Sequence, residues 1–334
     1  MDNVRIGIVG LGWVAQIFHL PILTRLNDAR VVAVCDKDRS RLETIAQRFG
    51  INRFHTDFQQ MLRSEELDAV VVCTPTDLHK DITIASLEAG KDVFVEKPIA
   101  RKYDEAILMA ETAKRTKRNL MVGMNNRFRP DTMALKSFVE KNELGKIFYI
   151  KTGWFKKLTM SNQWITRKEK AGGGVLLDLG IVMLDLVLWM TGYPDIARVN
   201  SRMYKHRTKS VEDSCVTFLE LKGGVSVSLE VSWSFPSSED FFYCDLFGSD
   251  GSARINPLRV MKELHGNLVN LTPAKAETPL NLYKKSYQNE LKHFTGAVRG
   301  LHKIISTGEE AVHRMKIVDA MYRSDTKGKE ISFS

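Results

Sequence analysis

Residues 4–9, Val-Arg-Ile-Gly-Ile-Val, form an apolar run that delivers Gly10-Leu11-Gly12-Trp13-Val14-Ala15 into an amphipathic segment. A strand that turns on glycines straight into a helix is the fingerprint of a dinucleotide-binding fold. Gly10 permits the tight turn, Gly12 lets the backbone approach a pyrophosphate, and the small Ala15 lets the helix lie close on the sheet. The unpaired N–H groups of the first helical turn, Trp13 and Val14 among them, then face the phosphates. A second apolar run, Arg30 to Cys35, ends at Asp36, 24 residues past Gly12. That is about the spacing at which a carboxylate reads a ribose 2′-hydroxyl, roughly 20 residues on. NAD is therefore the expected cofactor, since Asp36 would repel a 2′-phosphate. Lys37 and Arg39 follow at once and keep NADP open.

The pattern continues to about residue 123. Ala69 to Cys73, Asp92 to Val95 and Asn119 to Val122 read as strands buried on both faces, and Leu78 to Ala89 and Asp104 to Lys117 read as helices between them. Alternation of this kind predicts an α/β, doubly wound parallel sheet, with ligands bound at the carboxyl ends of its strands. Two of those ends carry chemistry: Thr74-Pro75-Thr76 with His79 after it, and Glu96-Lys97-Pro98. Lys97, between an acid and a proline at a strand end, is placed to move a proton or orient a hydroxyl if partial burial lowers its pKa. An ordinary loop lysine paired with Glu96 is the alternative.

Beyond residue 124 the period changes. After a helix near Asp131 to Lys141, Val225 to Trp233 alternates with period two, and similar strands are expected near 147–155, 197–206, 214–221 and 240–247. Helices return at Tyr287 to Arg299 and Glu309 to Tyr322. The chain thus predicts two domains, a dinucleotide-binding one over 1–123 and an α+β one over 124–334 built on a largely antiparallel open sheet. One face of that sheet is expected to pair subunits, with Val225, Val227, Leu229 and Val231 as its apolar row, giving a homodimer or tetramer.

Composition closes off other classes. No charged-then-apolar leader precedes the first strand, so a cytoplasmic chain is expected. The most apolar segment, Gly174 to Trp189, is interrupted by Asp178 and Asp185, so it reads as a core helix and not a membrane span. Cys35, Cys73, Cys215 and Cys244 are far apart with no metal-ligand spacing, so neither a metal site nor a disulfide is expected. The net charge of +9 lies mostly in the second part: residues 1–123 hold 18 basic against 17 acidic residues, leaving 31 against 23. A basic field there would favour an anionic sugar-like substrate, but the basic residues are scattered, and a solvated lysine-rich surface is the simpler reading. No clustered basic stripe with interleaved aromatics suggests nucleic acid.

Taken in order, Gly10-x-Gly12-x-x-Ala15, Thr74-Pro75-x-x-x-His79, Glu96-Lys97-Pro98, Asn126-Arg127-Phe128-x-Pro130, Gly172-Gly173-Gly174 through Asp178-Leu179-Gly180, Val211-Glu212-Asp213 and Asp319 to Ser324 resemble the glucose-fructose oxidoreductase / inositol 2-dehydrogenase (Gfo/Idh/MocA) family. The resemblance spans nearly the whole chain. It implies an NAD(P)-dependent oxidoreductase of a sugar, cyclitol or related polyol. It places Gly10, Gly12, Trp13, Val14, Ala15, Asp36, Thr74, Pro75, His79, Glu96 and Lys97 at the cofactor. Lys97 and Asp178 become the catalytic candidates, and Arg127 and Asp185 candidate substrate contacts, with structural roles as their alternatives.

One position departs from the family. A histidine that serves as general acid/base usually stands four residues after the aspartate, where this chain has Val182. Valine cannot move a proton, so Lys97, helped by Asp178 or an unlocated tyrosine, is expected to carry that task. A non-redox enzyme that retains its cofactor, an imine or carbonyl reductase, and a catalytically silent NAD-binding scaffold remain as alternatives.

Overall fold

In the computed structural model, residues 3–156, 164–235, 239–274 and 277–333 are described. The chain forms two compact units, one of residues 1–125 and 287–313, the other of 126–286 and 314–334. A single cut at 123 separates the two sheets but leaves residues 287–313 outside the unit they pack into.

The first unit is a six-stranded parallel sheet of β1 (Val4–Val9), β2 (Ala29–Cys35), β3 (Arg53–His55), β4 (Ala69–Val72), β5 (Asp92–Glu96) and β6 (Leu120–Gly123), in the order β3-β2-β1-β4-β5-β6. The central strands are buried on both faces, which explains their unbroken apolar runs. β3 is the exception: only three residues long and largely exposed at the sheet edge, it carries no apolar run to betray it. Residues 287–313 close one side of this unit. Tyr287 stacks on Phe18 with centroids 4.1 Å apart, Phe294 meets Phe94 edge-on, and Ser306 Oγ donates to the Val122 carbonyl at 2.7 Å.

The second unit is a nine-stranded sheet. Its strands are β7 (Ile147–Phe155), β8 (Ile196–Tyr204), β9 (Ser214–Leu221), β10 (Ser226–Ser232), β11 (Phe241–Gly248), β12 (Gly251–Ile255), β13 (Arg259–Leu264), β14 (Asn267–Asn270) and β15 (Ile331–Ser332). They lie in the order β14-β13-β12-β11-β7-β10-β9-β8-β15, antiparallel except where β7 meets β10. Register aligns Val199, Leu219, Val227, Ile150, Leu246, Ala253 and Val260 in one row across seven strands, all of them buried. The buried helix Ile181–Thr191 and the turn Leu176–Gly180 before it lie against this sheet. Lys168–Thr191 includes a window long and apolar enough to cross a membrane, and 89% of that window is buried inside the protein.

The apolar row of β10 therefore faces inward. Val227, Leu229 and Val231 are buried in the unit's own core, which corrects their expected place on an open pairing face. The opposite face carries Ser228 and Glu230 of β10 beside the exposed Val216 and Phe218 of β9. Period two sorts residues onto two faces but does not say which face a helix covers.

Candidate active site: a glycine turn, a lysine at a strand end and a braced aspartate

In the first unit, Gly10 sits at φ +90°, and a Cβ there would come within 2.7 Å of the Cys73 and Thr74 backbone. Only glycine fits both the conformation and that approach. Residues 13–23 are helical from Trp13 onward, with Ala15 fully buried on the sheet and Trp13 exposed. A Cβ on Gly12 would meet no atom nearer than the Cys73 carbonyl oxygen at 4.0 Å, so the turn leaves an open cradle before the helix N-terminus. Beside it, Thr74 Oγ is buried and has no hydrogen-bond partner among the described residues. An open glycine cradle with a waiting hydroxyl fits a dinucleotide, with the N–H groups of Gly12 to Ala15 as its phosphate donors.

Asp36 is nine-tenths buried and structurally committed. Its Oδ2 accepts the Leu11 N–H at 2.8 Å and its Oδ1 the Asp38 N–H at 2.9 Å. The basic neighbour is neither Lys37 nor Arg39, since Arg39 pairs with Glu43. It is Arg41, whose Nη1 lies 3.3 Å from Asp36 Oδ2 and whose Nη2 bonds Asp38. The sequence signal for Arg41 was the helix cap: Asp38 accepts the Arg41 N–H, which turns this side chain back over Asp36.

Lys97, half-buried, follows the last residue of β5. Two histidines hold that strand end. His79, expected at the cofactor, is instead almost wholly buried between backbone groups: Nδ1 faces the Pro98 carbonyl at 2.9 Å and Nε2 the Thr74 carbonyl at 2.8 Å. It lies between the two chemically loaded strand ends, with both ring nitrogens turned to backbone carbonyls; in the neutral ring one of the two carries the N–H that donates. Burial pushes its pKa down, against the raising influence of both carbonyls. His19, which sequence reasoning missed, is fully buried one helical turn after Ala15, with Nε2 2.6 Å from Glu96 Oε1. Its Nδ1 has no partner among the described residues, which assigns the proton to Nε2 as donor. Glu96 Oε2 in turn accepts the Lys97 N–H at 3.2 Å.

In the second unit, Asp178 lies half-buried within a wide π turn, Leu176–Gly180, that opens the core helix. Insertions of this kind recur at functional sites. Glu212 fixes the start of that helix: its Oε1 accepts the Gly174 N–H at 2.8 Å, the Leu176 N–H at 3.1 Å and the Tyr322 hydroxyl at 2.8 Å. A Cβ on Gly173 would fall 1.9 Å from the Tyr322 oxygen, and one on Gly174 1.9 Å from the Glu212 carbonyl oxygen. The glycine run exists because these two residues are pressed against it. Burial raises the Glu212 carboxyl pKa despite its three donors. Trp233 Nε1 donates to Asp178 Oδ2 at 3.1 Å. Val182, where the family histidine was expected, is buried.

Asp185 and Arg127, the candidate substrate contacts, are buried against each other. Asp185 is buried and receives Arg127 Nε and Nη2 at 2.7 and 2.6 Å, Arg314 Nη1 at 2.6 Å and the Tyr193 hydroxyl at 2.7 Å. Both arginines are fully buried. Burial alone would raise the Asp185 pKa; Arg127 and Arg314 outweigh it and hold the carboxylate ionised below its ordinary range. The cluster ties the core helix to residues distant in sequence. Two buried cations around one carboxylate form an internal ionic cluster, costly to break by removing one member.

The four cysteines are buried and unbridged, and burial pushes the Cys35, Cys215 and Cys244 thiols up to about 12. Among the described residues no group of three His, Cys, Asp or Glu side chains could hold a metal ion.

Residues 4–124 match a family described as an oxidoreductase family with an NAD-binding Rossmann fold, and residues 132–254 match the GFO/IDH/MocA C-terminal domain. The chain is 29% identical to D-glucoside 3-dehydrogenase of Escherichia coli over 98% of this chain and 97% of that protein. It is 26% identical to the NAD-dependent scyllo-inositol 2-dehydrogenase of Bacillus subtilis over 98% and 96%. Among solved structures, levoglucosan dehydrogenase in complex with NADH and levoglucosan superposes with a TM-score of 0.90 at 20% identity, covering 99% of each chain. The matched domains, their order and the glycine turn make this chain an NAD-binding oxidoreductase of the Gfo/Idh/MocA family, whose similar full-length proteins include sugar and polyol dehydrogenases.

Proposed function

We propose that the protein is an NAD-dependent dehydrogenase of a secondary hydroxyl on a sugar or cyclitol, in which Lys97 handles the hydroxyl proton and Asp178 binds the substrate. The observation that carries this reading is the replacement of the usual acid/base histidine by the buried Val182, while the strand end that presents Lys97 is braced by His79, Glu96 and His19. Full-length similarity to a glucoside dehydrogenase and an inositol dehydrogenase supports the substrate class.

Bound NAD supplies the hydride acceptor. Oxidation of the carbinol requires its hydroxyl oxygen to lose a proton, and Lys97 is the side chain proposed to take it. Asp178, on its π turn, accepts a hydrogen bond from a substrate hydroxyl and orients the ring. Gly10 and Gly12 keep the phosphate cradle open, and Asp36 takes the ribose hydroxyls, favouring NAD over NADP. A homo-oligomer fits the exposed Val216 and Phe218 on the uncovered sheet face; light scattering at micromolar concentration tests it, and a strictly monomeric mass removes it.

The functional reading is tested by following NADH at 340 nm with purified protein, NAD, and a panel of methyl β-D-glucoside, D-glucose, myo-inositol, uronates and nucleotide sugars. Reduction of NAD by at least one neutral or anionic polyol supports it. Tight NAD binding with no reduction by any member, in either direction, favours the cofactor-retaining non-redox reading instead.

A further inference from the structure

We infer that Trp233 is a positioning residue for Asp178, and that residues 212–213 and 233 together form a bracket that sets where the Asp178 carboxylate points. The inference rests on the proposed role of Asp178 in the reaction. A carboxylate on a helix turns about two side-chain torsions, and a productive geometry needs both fixed. Here one oxygen, Oδ2, is held at 3.1 Å by an indole N–H whose own ring is buried. The main chain that carries the indole is itself tied down, since the Trp233 backbone N–H donates to the Asp213 carbonyl at 2.8 Å, and burial restricts the ring. The next residue back, Glu212, receives the Gly174 and Leu176 N–H groups at the start of the helix that carries Asp178. Two adjacent residues thus hold both the helix that bears the carboxylate and the ring that grips it.

The chemistry of the indole limits what this contact does. Its N–H only donates and holds no exchangeable lone pair, so Trp233 cannot take over the proton transfer that a histidine at 182 would perform. With Val182 apolar and buried, the bracket supplies orientation, and proton transfer stays with Lys97.

The test uses the intact protein with 15N-labelled tryptophan. The Trp233 indole resonance is assigned by its loss in Trp233→Phe, and its position is then read in Asp178→Asn, where Trp233 is untouched. Steady-state rates of NAD reduction are measured with methyl β-D-glucoside and myo-inositol for the native protein, Trp233→Phe, Asp178→Asn and the double variant. The expected result is a displaced indole resonance in Asp178→Asn, a loss in kcat of about tenfold to a hundredfold in Trp233→Phe with NADH affinity unchanged, and a double variant no slower than Asp178→Asn alone. An unmoved indole resonance overturns the inference, and so does a Trp233→Phe loss that multiplies fully with that of Asp178→Asn, which marks general damage to the fold. Loss of turnover in Asp178→Asn with full turnover in Trp233→Phe removes the bracket and leaves the functional reading intact. Full turnover in Asp178→Asn removes the role of Asp178 itself.

Discussion

Asp36 accepts the backbone N–H of Leu11 at 2.8 Å, so the carboxylate at the end of β2 also closes the glycine turn that follows β1. The residue proposed to distinguish NAD from NADP is therefore also a brace for the phosphate cradle, and the two roles cannot be mutated separately by deletion.

Asp36→Ala is expected to weaken NADH binding by about tenfold and to lower stability by about 1–3 kcal/mol, because it leaves a buried backbone N–H unpaired. Gain of NADPH binding should be small in that variant. Arg41→Ala, which removes the guanidinium beside Asp36, should lower any residual NADPH affinity more than NADH affinity. Titration of both cofactors by fluorescence decides both points; a strong switch to NADPH in Asp36→Ala would show that the brace is dispensable.

Glu212→Ala is expected to destabilise the second unit by about 2–4 kcal/mol, since two helix N–H groups and the Tyr322 hydroxyl lose their acceptor in a buried site. Glu212→Gln keeps an acceptor oxygen and should cost less. Thermal or urea unfolding measures the difference, and equal losses in the two variants would contradict the capping role.

Much of this architecture was legible in advance, and the exceptions have physical causes. Strands buried on both faces announce themselves, as Val70 to Val72 do, because nothing polar is tolerated there. β3 did not, because an exposed edge strand of Arg-Phe-His needs no pattern. The glycine turn, Asp36 and Lys97 are readable because backbone constraint and strand-end position leave marks on the sequence, whereas Asp178 is singled out only by the family resemblance. The partners of those residues leave none. His19 and Glu96 are 77 residues apart, and Trp233 lies 55 residues from Asp178. His79 shows another limit: its place at a strand end is readable, but not the burial that turns both its ring nitrogens to backbone carbonyls.

Stability should fall on acidification before the carboxylates titrate. His79 is held below its ordinary pKa chiefly by burial, and His293 is lowered to about 4 by burial and then by its neighbour His302. Both are neutral in the folded protein near neutrality, so the unfolded chain takes up their protons first as pH drops below about 6.5. Their contribution is whole above that value and is lost as pH falls toward 4. Urea midpoints measured from pH 7.5 to 4.5 should decline, and His293→Gln should flatten the decline. A midpoint that holds constant across this window would contradict it.

Asp185→Asn should cost stability, by about 3–5 kcal/mol, because it strands Arg127 and Arg314 in the interior. Any folded fraction should keep its substrate KM within about twofold. A selective rise in KM with unchanged stability would restore Asp185 as a substrate contact.

The most direct measurement is turnover and NADH binding of Lys97→Met on the best substrate from the polyol panel, with Val182→Ala as the packing control. The result expected is a fall in kcat of about 10²–10⁴-fold in Lys97→Met with NADH affinity within about threefold of native, and a mild loss in Val182→Ala. Retention of most activity in Lys97→Met would contradict the account, and would move the proton transfer to a side chain other than this lysine.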